Sequence, residues 1–314
     1  MLRVALGRLL ALIPLVIVAS FAAFVLLQLT STDPAVVRLG ENATEQSYAA
    51  FRHEIGVDRP VIVQYGSWLA SAVQGDLGTS WSNSTPVTDS LSSRFPVTLS
   101  ITIGALVVGL VVGIPTGIAA GIRAGRSTDS LLTGGASIGQ AVPSFWLALL
   151  LVAYVAMKTP WFPATGYVSY DRDVGEWLRS ITLPSIALGL AAAGAFARQT
   201  RAGFVQVLHE PYIRTAVAGG LARRRILWRT ALRNASVPVV TTVAGQAAVL
   251  VGGAVIVEQV FALPGLGQLV LNAIRNGDMP VVLGFVVLMA LLMAIIQFLL
   301  DLTYALIDPR VRAA

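Results

Sequence analysis

The sequence predicts an all-α integral membrane protein with six transmembrane helices and both termini in the cytoplasm. Three observations carry that prediction. First, hydrophobic residues fill 55% of the 314 positions and charged residues only 12%, whereas charged residues make up about a quarter of an ordinary soluble domain. Second, the apolar residues fall into six windows free of Asp, Glu, Lys and Arg: Leu9–Leu29, Val97–Ile122, Leu131–Met157, Ile181–Ala197, Val237–Val257 and Val281–Leu300. A membrane-crossing helix needs about 20 such residues, with roughly 17–25 tolerated. The fourth window sits at the short limit, and the second and third can span with tilt. Third, the charges between windows are asymmetric. With the N-terminus inside, the inner segments hold 14 basic and 4 acidic residues, and the outer segments hold 8 basic and 12 acidic ones. Excess Arg and Lys marks the cytoplasmic side.

The same composition excludes several function classes. There is no cysteine, so neither a disulfide framework nor a thiolate metal site can be built. His53 and His209 are the only histidines and lie far apart in sequence, which leaves little material for triads, zinc sites or His-based proton relays. The net charge of +6 would be compatible with nucleic acid, but its placement between apolar windows argues against that partner.

The first window follows two arginines, the pattern of a secretory signal. A signal core is about 7–15 residues, and this run is 21, so a retained span is expected. Residues 31–94 form the only long outer segment. Ala49–Ile55 and Pro60–Val73 read as helices, the second with Val61, Tyr65, Trp68 and Leu69 on one face. Gly75-Asp76-Leu77-Gly78 and Ser82-Asn83-Ser84-Thr85-Pro86 are turn chemistry. The segment reads as a packed excursion or as an external cap, with Trp68 and Trp81 as candidate interfacial anchors.

The second window carries Gly109, Gly113, Gly117 and Gly121, a glycine every fourth residue. Such a ridge lets another helix approach closely. In the third window, Gln140 and Ser144 are polar groups inside a span, which usually face a bundle interior. They are candidates to line a pathway or to hydrogen-bond a neighbouring helix. The fifth window contains Gln246 and runs to Glu258. Beyond it, Leu266, Leu269, Val270, Ala273 and Ile274 form one apolar helical stripe, too short to cross, which Asn276-Gly277-Asp278 ends.

Catalytic and energy-coupling machinery is sparse. The only lysine, Lys158, is not preceded by the glycines of a phosphate-binding GxxxxGK[ST] loop, so the chain is not expected to hydrolyse ATP. An ion-coupled carrier usually places carboxylates or histidines within its spans, and the six windows contain none.

That leaves the loop from Glu210 to Asn234, which holds six arginines and a single acid. Glu210-Pro211 is a helix start, because proline suits the first helical position. Tyr212, Ile213, Ala216 and Val217 then share an apolar face for about two turns, and Gly219-Gly220 stop the helix as a C-terminal glycine commonly does. Ala222 to Ala235 form a return helix toward Pro238. The bland reading is a basic loop against lipid headgroups; it accounts for the arginines but not for the apolar tip or the paired glycines.

Here the residues resemble a family. Tyr212-Ile213-Arg214-Thr215-Ala216, Gly220-Leu221, Arg224-Arg225, Ala231-Leu232-Arg233-Asn234-Ala235 and Pro238 are similar to the EAA loop of type I ABC-importer permeases. Arg214 and Thr215 depart from the general Glu-Ala, and Arg233 stands where many such permeases have proline. Those departures resemble the dipeptide/oligopeptide/nickel branch. Gly75-Asp76-Leu77-Gly78-Thr79-Ser80, then Glu258, Phe261, Pro264-Gly265-Leu266-Gly267, Ala273 and Asp278-Met279-Pro280 resemble the B-type permease subunit of these systems. So do Asp301, Tyr304-Ala305 and Asp308-Pro309-Arg310.

The resemblance implies the type I ABC-importer permease fold in the cell membrane of a prokaryote. It divides the chain into an N-terminal span (1–30), an extracytoplasmic segment (31–94), a permease domain (95–306, with a coupling loop at 198–235) and a tail (307–314). The implied function is ATP-driven import of dipeptides or oligopeptides. A nickel chelate, glutathione or another small solute is the alternative cargo, and an ion-coupled secondary transporter is the alternative class. Implied partners are a sister permease, cytoplasmic ABC ATPase domains, an extracytoplasmic substrate-binding protein and membrane lipid. No metal or cofactor is expected on this chain, with ATP and Mg on the ATPase. The expected coupling residues are Tyr212, Ile213, Arg214, Thr215, Ala216, Val217, Gly219, Gly220, Arg224 and Arg225. Gln140, Ser144 and Gln246 are candidates to line the pathway. Glu258, Phe261, Pro264, Gly265, Gly267 and Asp278 are expected in an outer hairpin or gate.

Overall fold

The computed structural model describes residues 2–29 and 32–307; for residues 2–12, 237, 301 and 304–307 it describes the backbone alone. Of the tail expected at 307–314, residues 308–314 lie outside the described residues. Among those described, the chain is helical, with a single isolated β-bridge between Thr79 and Pro86. The described residues divide into two compact units: those up to 96 with 264–295, and residues 97–263 with 296–307.

The first unit contains α1 (Leu2–Gln28), α2 (Pro34–Leu39), α3 (Glu45–Glu54), α4 (Val61–Val73), and the start of α5 (Val87–Ile122). It is completed by α12 (Leu266–Arg275) and most of α13 (Met279–Ile307), elements that follow later in the chain. Its core gathers Phe24, Tyr65, Val87, Leu91, Leu266, Val270, Met279 and Leu283. Tyr65 is the joint between α1 and α4. Its hydroxyl donates to the Ile17 carbonyl at 3.1 Å, and its ring meets Phe21 and Phe24 edge-on. Tyr65, Trp68 and Leu69 pack as the α4 stripe predicts, but Val61 at the first turn is exposed. Trp81 packs on the same core. The residues predicted as turns do turn. The Asp76 carboxylate accepts from the Gly78 amide at 2.8 Å, and the Thr79–Pro86 bridge closes the loop.

Asp33 caps α2 by accepting from the Ala35 amide at 2.9 Å and also receives the Arg52 guanidinium. The Arg52 hydrogen bond holds the Asp33 carboxyl below its usual range, against a smaller opposing effect of burial. The predicted short stripe forms α12, with Leu266, Val270 and Ala273 buried.

In the second unit, α5 continues and is joined by α6 (Ser127–Ala141) and α7 (Ser144–Leu151), which runs on as a π-helical stretch, Val152–Ala156. Then come α8 (Val174–Leu208), α9 (Pro211–Ala218), the single turn α10 (Arg223–Arg225), a second π-helical stretch (Ile226–Ala231) and α11 (Leu232–Val260). The buried core runs through Ile101 and Ala105 of α5, Leu183, Leu188 and Phe196 of α8, and Leu250, Ala254 and Val257 of α11. The glycine ridge of α5 packs on α8 as its spacing predicts. A Cβ added at Gly113 would lie 2.5 Å from the Ala193 carbonyl oxygen, and one at Gly117 2.5 Å from that of Ala197. Side chains larger than hydrogen would hold the two backbones apart.

By length and composition, four helices among the described residues can cross a membrane: Val87–Ile122, Val174–Leu208, Pro238–Val260 and Met279–Leu300. The short fourth window is thus part of a helix of 35 residues. The third window is not one continuous helix. It forms two helices bent by 92°. Val142 is extended (φ −74°, ψ 122°), because the ring of Pro143 disfavours helical backbone in the residue before it. The expected return helix at Ala222–Ala235 is also interrupted, by its π-helical stretch.

Candidate functional site

The loop after α8 is built on a small core of its own. Phe204 and Val207 from the end of α8, Ile213 from α9, Ile226 and Ala231 from the π-helical stretch and Ala235 from α11 are buried together. Pro211 opens α9 as its first residue, and Gly220 closes it at φ +76°. The closure has two hydrogen bonds, Leu221 N–H to the Ala216 carbonyl at 3.1 Å and Gly220 N–H to the Val217 carbonyl at 3.0 Å. They satisfy carbonyls that the helix end would otherwise leave unpaired. Asn234 Nδ2 donates to the Tyr212 hydroxyl at 3.2 Å, tying α9 to the start of α11.

The apolar face expected on α9 divides in two. Ile213 is 5% exposed and Ala216 packs against the loop core, whereas Tyr212 is 42% and Val217 61% exposed. Helical spacing places all four on one broad side, and the core beneath takes only the middle of it. Arg214, Thr215, Gly219, Gly220, Arg224 and Arg225 are exposed around the tip. Leu221 of the loop motif and Trp228, which sequence reasoning missed, are exposed apolar residues that extend this surface. Trp228 lines an apolar groove of about 510 Å³ with Ile114, Ile118, Ile122, Arg123 and Leu232. Its apolar character was the available signal.

The other candidates are dispersed. Gln140 is exposed near the end of α6, Ser144 is half-buried as the first residue of α7, and Gln246 is half-buried on α11. α7 packs against both α8 and α11. In the second unit Glu258 is fully buried and accepts from the Thr98 hydroxyl at 2.5 Å, and Phe261 joins the core. In the first unit Gly265 caps α12 and Gly267 is buried within it; Pro264 directly precedes that cap. Asp278 is buried just after α12. Its carboxylate accepts from the Ser80 hydroxyl (2.5 Å) and from the amides of Trp81 (3.1 Å) and Ser82 (3.3 Å). It therefore fastens the predicted turn region to α12. Two further charges went unremarked as a pair. Asp129 and Arg201, 72 residues apart, meet through two hydrogen bonds of 2.6 and 2.7 Å.

Together the helices and this exposed loop define a class: a multi-pass helical membrane protein that presents a compact helical knob outside its spans. Residues 113–313 match the family described as "Binding-protein-dependent transport system inner membrane component", and residues 1–102 match the description of its N-terminal part. The chain belongs to this family, the membrane permeases of ABC transporters, and is a multi-pass protein of the cell membrane.

It is 38% identical over 301 residues to a putative peptide transport system permease protein of Brucella abortus, with 96% of each chain covered. It is 37% identical over 307 residues to a probable peptide ABC transporter permease protein of Sinorhizobium fredii, with 98% of each covered. With the glutathione transport system permease protein GsiC of Escherichia coli it shares 36% over 312 residues, covering 99% of each. Among solved structures it is similar to the inward-facing MetNI methionine ABC transporter. The TM-score is 0.54 at 21% identity, over 67% of this chain and 93% of that one, a likeness of fold.

Proposed function

We propose that this chain forms one half of the transmembrane pathway of an ATP-driven importer of dipeptides or oligopeptides. A sister permease would complete the pathway, ABC ATPase domains would bind ATP and Mg on the cytoplasmic side, and a substrate-binding protein would deliver cargo from outside. In this reading six spans cross the membrane: α1, α5, the broken α6–α7 pair, α8, α11 and α13. Both termini and the α8–α11 loop are then cytoplasmic, as the excess of basic residues on that side favours. Gln140, Ser144 and Gln246 face the pathway.

The observation that carries the proposal is the two-sided character of α9. Its inward residue, Ile213, is buried in the loop core, and its outward residues Tyr212, Arg214 and Val217 are exposed. Full burial of a side chain of this size is worth about 1.5–3 kcal/mol, enough to make α9 move with the ends of α8 and α11. The tip sits in a groove of the ATPase, with Arg224 and Arg225 beside it, and closure of the ATPases displaces it. ATP can shift the access states only by favouring one of them, and this joint is where that preference enters the membrane domain.

The test is uptake into proteoliposomes holding the chain with its sister permease, ATPase and binding protein. Dipeptide should accumulate only with ATP inside the ATPase compartment. Accumulation driven by an ion gradient without ATP would overturn the reading in favour of a secondary transporter. The similarity to GsiC gives glutathione as the second cargo to assay beside peptides and nickel chelates. Mass spectrometry of the ligand retained by the cognate binding protein decides among them.

A further inference from the structure

We infer that Asp129 and Arg201 are positioning residues of the transport step, a clamp that makes α6 move with α8. The inference rests on the coupling role proposed for α9. It begins with the completeness of the Asp129 site. One carboxylate oxygen accepts from Arg201 Nε at 2.6 Å and from the Thr133 hydroxyl at 3.2 Å. The other accepts from Arg201 Nη2 at 2.7 Å and from the Gly125 amide at 3.0 Å. The pairing is bidentate, the geometry that fixes orientation as well as distance. The Asp129 side chain is 6% exposed, although it stands in the first turn of α6, where an acid would ordinarily be solvated. Gly125, at φ +80°, brings the α5–α6 turn back over the carboxylate, so this one side chain holds that turn, the start of α6 and α8.

The clamp is one end of a longer seam. Two turns along α6 from Asp129 is Ala136, and two turns back along α8 from Arg201 is Gly194. These meet so closely that a Cβ on Gly194 would collide with the Ala136 carbonyl and lie 3.0 Å from the Gln140 Cβ. One turn further, a Cβ on Gly139 would lie 3.6 Å from the Leu190 carbonyl. Residue numbers rise along α6 as they fall along α8, so the two helices are antiparallel and joined on one face. A helix held at two points two turns apart cannot pivot about either alone. The glycine contact is a close approach of backbones that fixes distance without a directional pairing. The bidentate ion pair is directional, and sets the register of the seam.

Position gives the clamp its role. Arg201 lies two turns before α8 ends at Leu208, and α9 begins three residues later at Pro211. At the other end of α6 are Gln140 and then the 92° break before Ser144. A displacement of α9 carried up α8 therefore reaches the broken pair through Asp129. Without the clamp, α8 can shift while α6 and its break stay behind, so ATP is spent without moving cargo.

The experiment uses the complete transporter in proteoliposomes and reads cargo taken up per ATP hydrolysed. Asp129→Asn keeps an acceptor for the Gly125 amide but loses the charge. It should lower that ratio about tenfold, a typical allosteric coupling, with assembled complex and ATPase rate near wild type. Arg201→Lys, which keeps the charge but not the fork, should give a smaller fall. Exchanging the pair, Asp129→Arg with Arg201→Asp, should restore part of the ratio. A wild-type ratio in both single variants overturns the clamp. So does parallel loss of assembled complex and uptake in both singles with no recovery in the exchange, which would make the pair purely structural. Wild-type transporter without ATP-driven uptake would instead overturn the importer reading itself.

Discussion

The glycines of α5 and the glycine that ends α9 are the same residue put to different physical uses. Along α5, Gly113 and Gly117 have ordinary helical backbones, and what they supply is space, since backbone atoms of α8 occupy the volume a side chain would need. At Gly220 there is open space around the position, with no atom within 4 Å of an added Cβ, and what glycine supplies is a φ of +76°. The first kind of glycine holds the bundle together, and the second shapes an exposed tip without contributing to the core. On the proposed function, stability and coupling rest on different glycines and should break separately.

The largest effect is expected at the ridge. Gly113→Val places branched carbons where the Ala193 carbonyl lies 2.5 Å and the Phe196 Cβ 2.8 Å from the first added atom. Overpacking of a tight core costs about 1–3 kcal/mol, occasionally more, and here the obstacle is backbone that cannot rotate away. The variant should lose most of its folded protein in detergent, seen as a lower unfolding midpoint and a broadened size-exclusion profile. A midpoint equal to wild type would mean that the α5–α8 seam is looser than its contacts imply, and would remove this half of the comparison.

The ridge was also the part most legible in the sequence, and the reason is physical. A period of four in glycine has few uses in an apolar helix other than close approach. The four long apolar helices, the α12 stripe and the start and stop of α9 were legible for the same reason, because local chemistry decides them. The break at Pro143 was not. Membrane helices tolerate proline when neighbouring groups satisfy the freed backbone, and whether they do depends on packing the sequence does not display. The division of the α9 face was likewise hidden. Periodicity groups Tyr212, Ile213, Ala216 and Val217 but does not say that the core beneath takes Ile213 and leaves Val217 outside. Asp129 and Arg201 are far apart in sequence, and no spacing rule joins them. Glu258 stands at the end of a charge-free window, where a solvated anchor is the simpler reading, yet it is fully buried.

A smaller and more selective effect is expected at the tip. In Gly220→Val the left-handed backbone costs about 1–2 kcal/mol, and the helix stop shifts or unwinds to relieve it. The cost falls on the α9 closure and not on the core, so assembled complex should remain near wild type while cargo moved per ATP falls. Gly220→Asn is the control, since asparagine tolerates this conformation better than a β-branched residue, and it should retain most of the coupling. Unchanged uptake in Gly220→Val with normal assembly would show that the shape of the tip is not what the ATPase reads.

The smallest effect separates both uses of glycine from a third. Gly252 lies in the interior of α11, with no atom within 4 Å of an added Cβ and with helical backbone. It needs neither space within this chain nor an unusual φ. In Gly252→Ala the helix loses one of its three glycines, a change worth up to about 1 kcal/mol in favour of the helix. The isolated chain should therefore unfold at the same temperature as wild type or slightly above it, opposite in sign to Gly113→Val. A lowered midpoint would mean that the open face at Gly252 closes against something within the chain. A raised midpoint combined with reduced recovery of the sister permease would assign the missing contact to that subunit. The space at Gly252 would then serve the α5 kind of close approach between chains.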